Sequence, residues 1–167
     1  MSYPQLLTPE EKLADAKKLL SLPRIVVICG STRFMTEMNE ADLRETKAGK
    51  IVVKPGCDMK SPHELWADPV EAEALKVRLE YLHRAKIRLA DEVLVVGDYI
   101  GDSTRAEIAY ARSLGKPVRF THPEVDPDAL GATARTEAAD LRAMEQDHRA
   151  HIRTSVVGDR ELPPYPF

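Results

Sequence analysis

Cysteine is scarce: the chain has two, Cys29 and Cys57, and two do not make a disulfide framework. Cys29 closes an apolar run and reads as a buried thiol. That usage suits a reducing compartment, and a cytoplasmic location is the expectation. Aromatic residues amount to only 5%. Cationic excess is missing too. A formal net charge of −3 gives no electrostatic case for a nucleic-acid polymer as partner, because such proteins carry a basic patch or stripe. A total says nothing of a local basic pocket, which would suit a small anion. No apolar stretch approaches the length that spans a bilayer, so no membrane partner is expected. The opening segment, "MSYPQLLTPEEKLADAKK", lacks a basic region followed by an apolar one and does not read as a signal peptide.

Several chemical signatures are absent as well. His63, His83, His122, His148 and His151 show no H-E-x-x-H or other metal spacing, and no Cys/His cluster appears along the chain. No metal or organic cofactor is expected. His83 and Lys86, near the end of a helix, are expected to face solvent or the helix's C-terminal dipole. There is no G-x-G-x-x-G and no G-x-x-x-x-G-K-[ST], so dinucleotide and P-loop readings lack their fingerprints. Serine-based hydrolysis lacks its G-x-S-x-G.

What is present is an alternation. "TPEEKLADAKKLLSL" opens with a capping box, Thr8 to Glu11, and has Pro9 at the first helical position. "RIVVICG" follows, β-branched and without period-two alternation, as a strand buried on both faces would be. "STRFMTEMNEADLRETKAG" reads as a helix ending at Gly49. "KIVVKPG" is a second strand and "CDMKSPHELWADP" a loop with two prolines. A long helix runs from about Val70 to Ala90, with apolar residues beyond one narrow face. "DEVLVVG" is a third strand, "STRAEIAYARSLG" a helix and "KPVRFTH" a fourth strand. Strand and helix in turn predict an α/β fold: a doubly wound, flavodoxin/Rossmann-like parallel sheet of four to five strands, order 2-1-3-4(-5). The length fits a single domain over 1–167, with a core at about 24–121 and a C-terminal extension at 122–167. "TSVVGDRELPPYPF" has room for a short edge strand.

In that strand order, the crevice for a ligand opens outside the carboxyl ends of strands 1 and 3. Two polar clusters lie there. The first is Gly30, Ser31, Thr32 and Arg33. A helix N-terminus offers free N–H groups to an anion, two hydroxyls add donors and Arg33 adds a charged fork. Ser31 or Thr32 also reads simply as a helix cap. The second cluster is Asp98, Gly101, Asp102, Ser103, Thr104, Arg105 and Glu107. Thr104-Arg-Ala-Glu107 fits a capping box by itself, and Asp102 or Ser103 is an alternative N-cap. The functional reading makes Glu107 a nucleophile in the first turn of its helix, with Asp98 or Asp102 as a second, proton-handling group. Trp66, in the proline-flanked loop, reads as core packing or as cover for a planar base.

"VVICGSTRF", with "KIRLADEVLVVGDYIGDSTRAEIAYARSLGKPV", resembles the nucleoside 2-deoxyribosyltransferase-like superfamily over about residues 24 to 120. The resemblance implies a transferase that exchanges bases on deoxyribose, or a hydrolase that cuts the N-glycosidic bond of nucleoside monophosphates. It implies a nucleophilic Glu107, an assisting aspartate at Asp98 or Asp102, and a sugar or phosphate end held by Gly30 to Arg33. It also implies a homodimer or higher homo-oligomer, with sites completed by a neighbour's C-terminal segment. Arg105, close before the glutamate, departs from the small residues often found there and suits a more anionic substrate. Three functions follow as expectations: an N-glycosidase releasing the base from a nucleotide or nucleoside, a deoxyribosyltransferase, and a nucleotide-sensing module without turnover.

Overall fold

The computed structural model describes residues 6–129 together with Met144 and Glu145. Helix α1 (Pro9–Leu19) begins with the expected capping box: the Thr8 hydroxyl accepts from the Glu11 N–H at 3.2 Å, and the Thr8 N–H donates to the Glu11 carboxylate at 2.7 Å. Strands β1 (Ile25–Cys29), β2 (Ile51–Val53), β3 (Glu92–Val95) and β4 (Val118–Phe120) pair in parallel in the order β2-β1-β3-β4. This is the doubly wound α/β sheet expected, with four strands among the described residues. The possible C-terminal edge strand lies outside the described residues. The chain divides into two compact units, Met1–Asp126 and Pro127–Phe167, and the sheet belongs to the first. The single-domain expectation over 1–167 therefore falls partly on residues that are not described.

β1 and β3 are buried throughout, which accounts for their lack of alternation. Odd-numbered residues of β1 and β3 face helices α3 (Pro69–Leu89) and α4 (Asp102–Ser113): Ile25, Val27, Cys29, Val93 and Val95 pack with Ile87, Ile108 and Ala111. On the other face, Val26, Ile28, Leu94 and Val96 pack with Met38 and Ala41 of helix α2 (Met35–Lys47). The first half of α3 contributes little to this core. Val70 and Val77 are 80% and 54% exposed.

One charge sits inside the sheet. Glu92, at the start of β3, is buried, and three cations converge on it from the leads into β1 and β2 and from β4. Arg24, just before β1, reaches one carboxylate oxygen at 2.8 Å, while Lys50, just before β2, and Arg119, in β4, reach the other at 2.6 and 2.9 Å. Glu45 of α2 closes the cluster, 2.6 Å from Lys50 and 3.0 Å from Arg119. Burial pushes the Glu92 carboxyl up, but the hydrogen bonds from Lys50, Arg24 and Arg119 outweigh it and bring the pKa down to about 2. The folded value lies below the unfolded one, so this contribution to stability is complete above the ordinary carboxylate range. It is lost as pH falls from about 4.5 toward about 2. Glu92→Gln is expected to cost on the order of 3 kcal/mol at neutral pH, since it leaves three cations around a neutral amide. It is also expected to flatten the loss of stability between pH 5 and 2. Urea titrations across that range check both; an unchanged acid limb in the variant contradicts the assignment.

Candidate active site

β1 and β3 run side by side, with Cys29 opposite Val95. Their carboxyl ends therefore open together, and both end in a glycine. Gly30 has φ 147°, and a Cβ there would lie 2.6 Å from the Val96 carbonyl oxygen. Gly97 has φ 104°, and a Cβ there would lie 2.3 Å from the Phe34 ring. Only glycine combines these backbone angles with that closeness. The Val96 N–H donates to the Cys29 carbonyl at 2.9 Å and the Gly97 N–H to the Thr121 hydroxyl at 3.0 Å, which hold the two loops at the crevice.

α4 begins earlier than the sequence suggests. Its N-cap is Gly101, whose missing side chain makes no capping bond, and Asp102 is its first residue. Neither Asp102 nor Ser103 is the N-cap. Thr104 is 3% exposed inside the helix, so the capping box of Thr104 with Glu107 does not form. Glu107 stands in the second turn, not the first. Its carboxylate turns instead toward α3, where one oxygen lies 3.4 Å from His83 Nε2. That nitrogen is also 3.3 Å from Cys29 Sγ. The three side chains come from β1, α3 and α4, and their polar atoms all lie within 4.8 Å of one another. The His83 expectation is thus corrected: its side chain is only 12% exposed and faces the sheet side of α3. Lys86 does not face solvent either; its ammonium donates to the Lys54 carbonyl at 2.8 Å.

Burial pushes the Cys29 thiol well above its ordinary pKa, and the Glu107 charge and a hydrogen bond to that carboxylate raise it further. Cys29 thus keeps its proton and donates it to Glu107. The result is a carboxylate 21% exposed, flanked by a thiol and an imidazole. Such a group suits attack on an electrophilic carbon or the removal of a proton.

The first loop is arranged around Ser31. Its hydroxyl lies 3.3 Å from the Arg33 guanidinium and 3.3 Å from the Lys60 ammonium. Thr32 hydrogen-bonds Asp58, a contact that leads the causes lowering that carboxyl's pKa. Neither Ser31 nor Thr32 caps α2, since a 3-10 turn, Thr32–Phe34, precedes the helix and Ser31 makes no side-chain cap bond. The Arg33 guanidinium stacks over the Tyr99 ring at 4.3 Å, joining this loop to the one after β3. Asp98, Asp102 and Ser103 are exposed on that second loop and the first turn of α4, while Gly101 and Arg105 are half-buried there. Among the described residues, no hydrogen bond or ion pair joins Asp98 or Asp102 to Glu107. Trp66 is half-buried but not in the core: its indole donates to the Ser61 carbonyl at 2.8 Å, and its ring lies 4.7 Å from that of His63.

His83, Cys29 and Lys60 are the residues that sequence reasoning missed. For His83 a signal existed: it lies four residues after Leu79 and four before the buried Ile87, on the inward stripe of α3. Lys60 had none, because the path of a 15-residue connection (54–68) is not written in its composition. Comparison of the chain with protein-family models, curated proteins and solved structures yields no match.

The two thiols are expected to differ in reactivity. A thiol reagent should modify the half-buried Cys57 quickly in the native protein and Cys29 only on unfolding, because Cys29 is fully buried and held protonated. Two fast equivalents in the native state contradict this account.

Proposed function

We propose that the protein is a hydrolase that cleaves the N-glycosidic bond of a nucleoside 5′-monophosphate or nucleoside through a covalent glycosyl intermediate on Glu107. The observation that carries the reading is the Glu107 carboxylate itself. It is released from any capping duty, held by His83 at 3.4 Å, and stands at the ligand end of a doubly wound sheet. The resemblance of "VVICGSTRF" and "ADEVLVVGDYIGDSTRAE" to the nucleoside 2-deoxyribosyltransferase-like superfamily points to the same residue.

In this mechanism a Glu107 oxygen attacks C1′ and the bond from C1′ to the base breaks. The electron pair leaves on the base nitrogen, which takes up a proton passed by Asp98 or Asp102. Water then attacks C1′, frees Glu107 and returns the proton, as in retaining glycosidases. His83 donates to the carboxylate and keeps it aimed. No metal or organic cofactor enters these steps. Gly30 lets the substrate approach the backbone, and Ser31, Thr32, Arg33 and Lys60 hold its phosphate. Two cations converging on one hydroxyl at 3.3 Å support a dianionic end for the substrate. Gly101, Ser103 and Arg105 frame the sugar side, with Thr104 buried behind them. A homodimer belongs to the same proposal. The exposed Val70, Val77 and Tyr81 of α3 offer it an apolar face, and sedimentation at micromolar concentration reads it directly.

The test is a panel of nucleosides and monophosphates incubated with the protein and chromatographed for free base. Base release without an acceptor is expected, with monophosphates preferred about ten-fold or more, in keeping with an Arg–phosphate contact worth about 1.5–3 kcal/mol. Base exchange that requires an acceptor indicates the transferase instead, and binding without product indicates a sensor. Glu107→Gln is expected to lower turnover about a thousand-fold or more, about 4 kcal/mol of barrier, with little change in melting temperature. A Gln variant that turns over normally removes the nucleophile assignment.

A further inference from the structure

The cluster beneath the crevice has a second capability, independent of glycoside chemistry. Its three side chains are a thiol, an imidazole and a carboxylate, and they converge from three different elements. We propose that Cys29 Sγ, His83 Nε2 and Glu107 Oε2 bind one zinc ion, and that the zinc-bound form is a closed state of the site.

Two of the three separations between the polar atoms match those of a tetrahedral zinc site. Zinc takes sulfur at about 2.3 Å, imidazole nitrogen at about 2.0–2.1 Å and carboxylate oxygen at about 2.0–2.2 Å in a tetrahedron, which sets neighbouring ligand atoms roughly 3.3–3.6 Å apart. Here the sulfur and nitrogen are 3.3 Å apart and the nitrogen and oxygen 3.4 Å apart. All three atoms fall within 4.8 Å of one another, so a modest side-chain adjustment lets one ion reach them. The donor set chooses among metals. Magnesium and calcium prefer all-oxygen shells, whereas thiolate with imidazole favours zinc. Three protein ligands leave a fourth position to water. Binding replaces the thiol proton with the metal: the S–H bond breaks, the S–Zn bond forms and the proton passes to solvent. The partial exposure of His83 and Glu107, at 12% and 21%, gives the ion a way in, although Cys29 itself is fully buried.

The closed state rests on the preceding reading, since an oxygen of Glu107 committed to zinc is withdrawn from attack on C1′. The binding itself does not. The test therefore reads binding first. Purified, metal-free protein is titrated with zinc against a chromophoric chelator, alongside Cys29→Ala, His83→Gln and, as a control for the other thiol, Cys57→Ala. One zinc per chain is expected in wild type and in Cys57→Ala. Affinity should fall by at least about 10–100-fold in Cys29→Ala and in His83→Gln, since loss even of an outer-shell partner costs that much. Cobalt in place of zinc should show thiolate-to-metal charge-transfer absorption in wild type and Cys57→Ala, and none in Cys29→Ala. Melting curves establish that each variant is folded, and His83→Gln, on the partly exposed side of the cluster, decides the matter should the buried Cys29→Ala fail to fold. Absence of stoichiometric binding, or binding unchanged in His83→Gln, overturns the site. Zinc that binds while base release continues unaltered overturns the closed state. Zinc binding with no base release from any nucleotide leaves the metal site standing and removes the glycosidase.

Discussion

The parallel pairing of β1 with β3, Cys29 opposite Val95, is the constraint from which the crevice follows. Had these strands been separated by another, the loops after Cys29 and Val95 would open into different places. Because they are neighbours, Gly30 and Gly97 end them side by side, and Phe34 fits over the hydrogen-only face of Gly97. The same pairing sends the crossovers that carry α3 and α4 onto one face of the sheet. His83 from one helix and Glu107 from the other therefore meet above the Cys29 thiol. Hydrophobic packing by Ile87, Ile108 and Ala111 fixes both helices just below their polar residues. The apolar core thus positions the polar cluster.

Charge is handled differently at the two ends of the sheet. At the amino end, Glu92 is enclosed by Arg24, Lys50 and Arg119, and every charge has a counter-charge within 3 Å. Such a cluster stabilises at neutral pH and presents little unspent potential. At the carboxyl end, Glu107 meets the Cys29 thiol and the His83 imidazole, and among the described residues no lysine or arginine pairs with it. Arg33 and Lys60 gather around the Ser31 hydroxyl on the neighbouring loop, with the Asp58 carboxylate beside Lys60. The satisfied end serves the fold, while the other end is where the proposed substrate would sit.

Much of this was legible in the sequence, for identifiable reasons. "RIVVICG" and "DEVLVVG" lack alternation because β1 and β3 are covered on both faces, and the strand order follows from short right-handed crossovers. Thr8 and Glu11 form the capping box their spacing suggests. Thr104 and Glu107 have the same spacing and do not. The difference lies in tertiary packing: Thr104 is buried and the helix starts at a glycine whose side chain contributes nothing. Spacing alone finds a possible cap; it does not find where the chain turns. The cluster of Cys29, His83 and Glu107 was invisible to motif spacing, because three elements far apart in sequence supply one residue each. Only the inward stripe of α3, Leu79, His83 and Ile87, hinted at it.

The central claim is that the Glu107 carboxylate forms a bond to the sugar. Intact-protein mass spectrometry of acid-quenched reactions, followed by peptide mapping, tests this most directly. With a cleaved monophosphate, the account predicts a transient adduct of one sugar phosphate per chain, mapped to Glu107 and absent from Glu107→Gln. Base release with no adduct at any quench time, or an adduct on another residue, would contradict it.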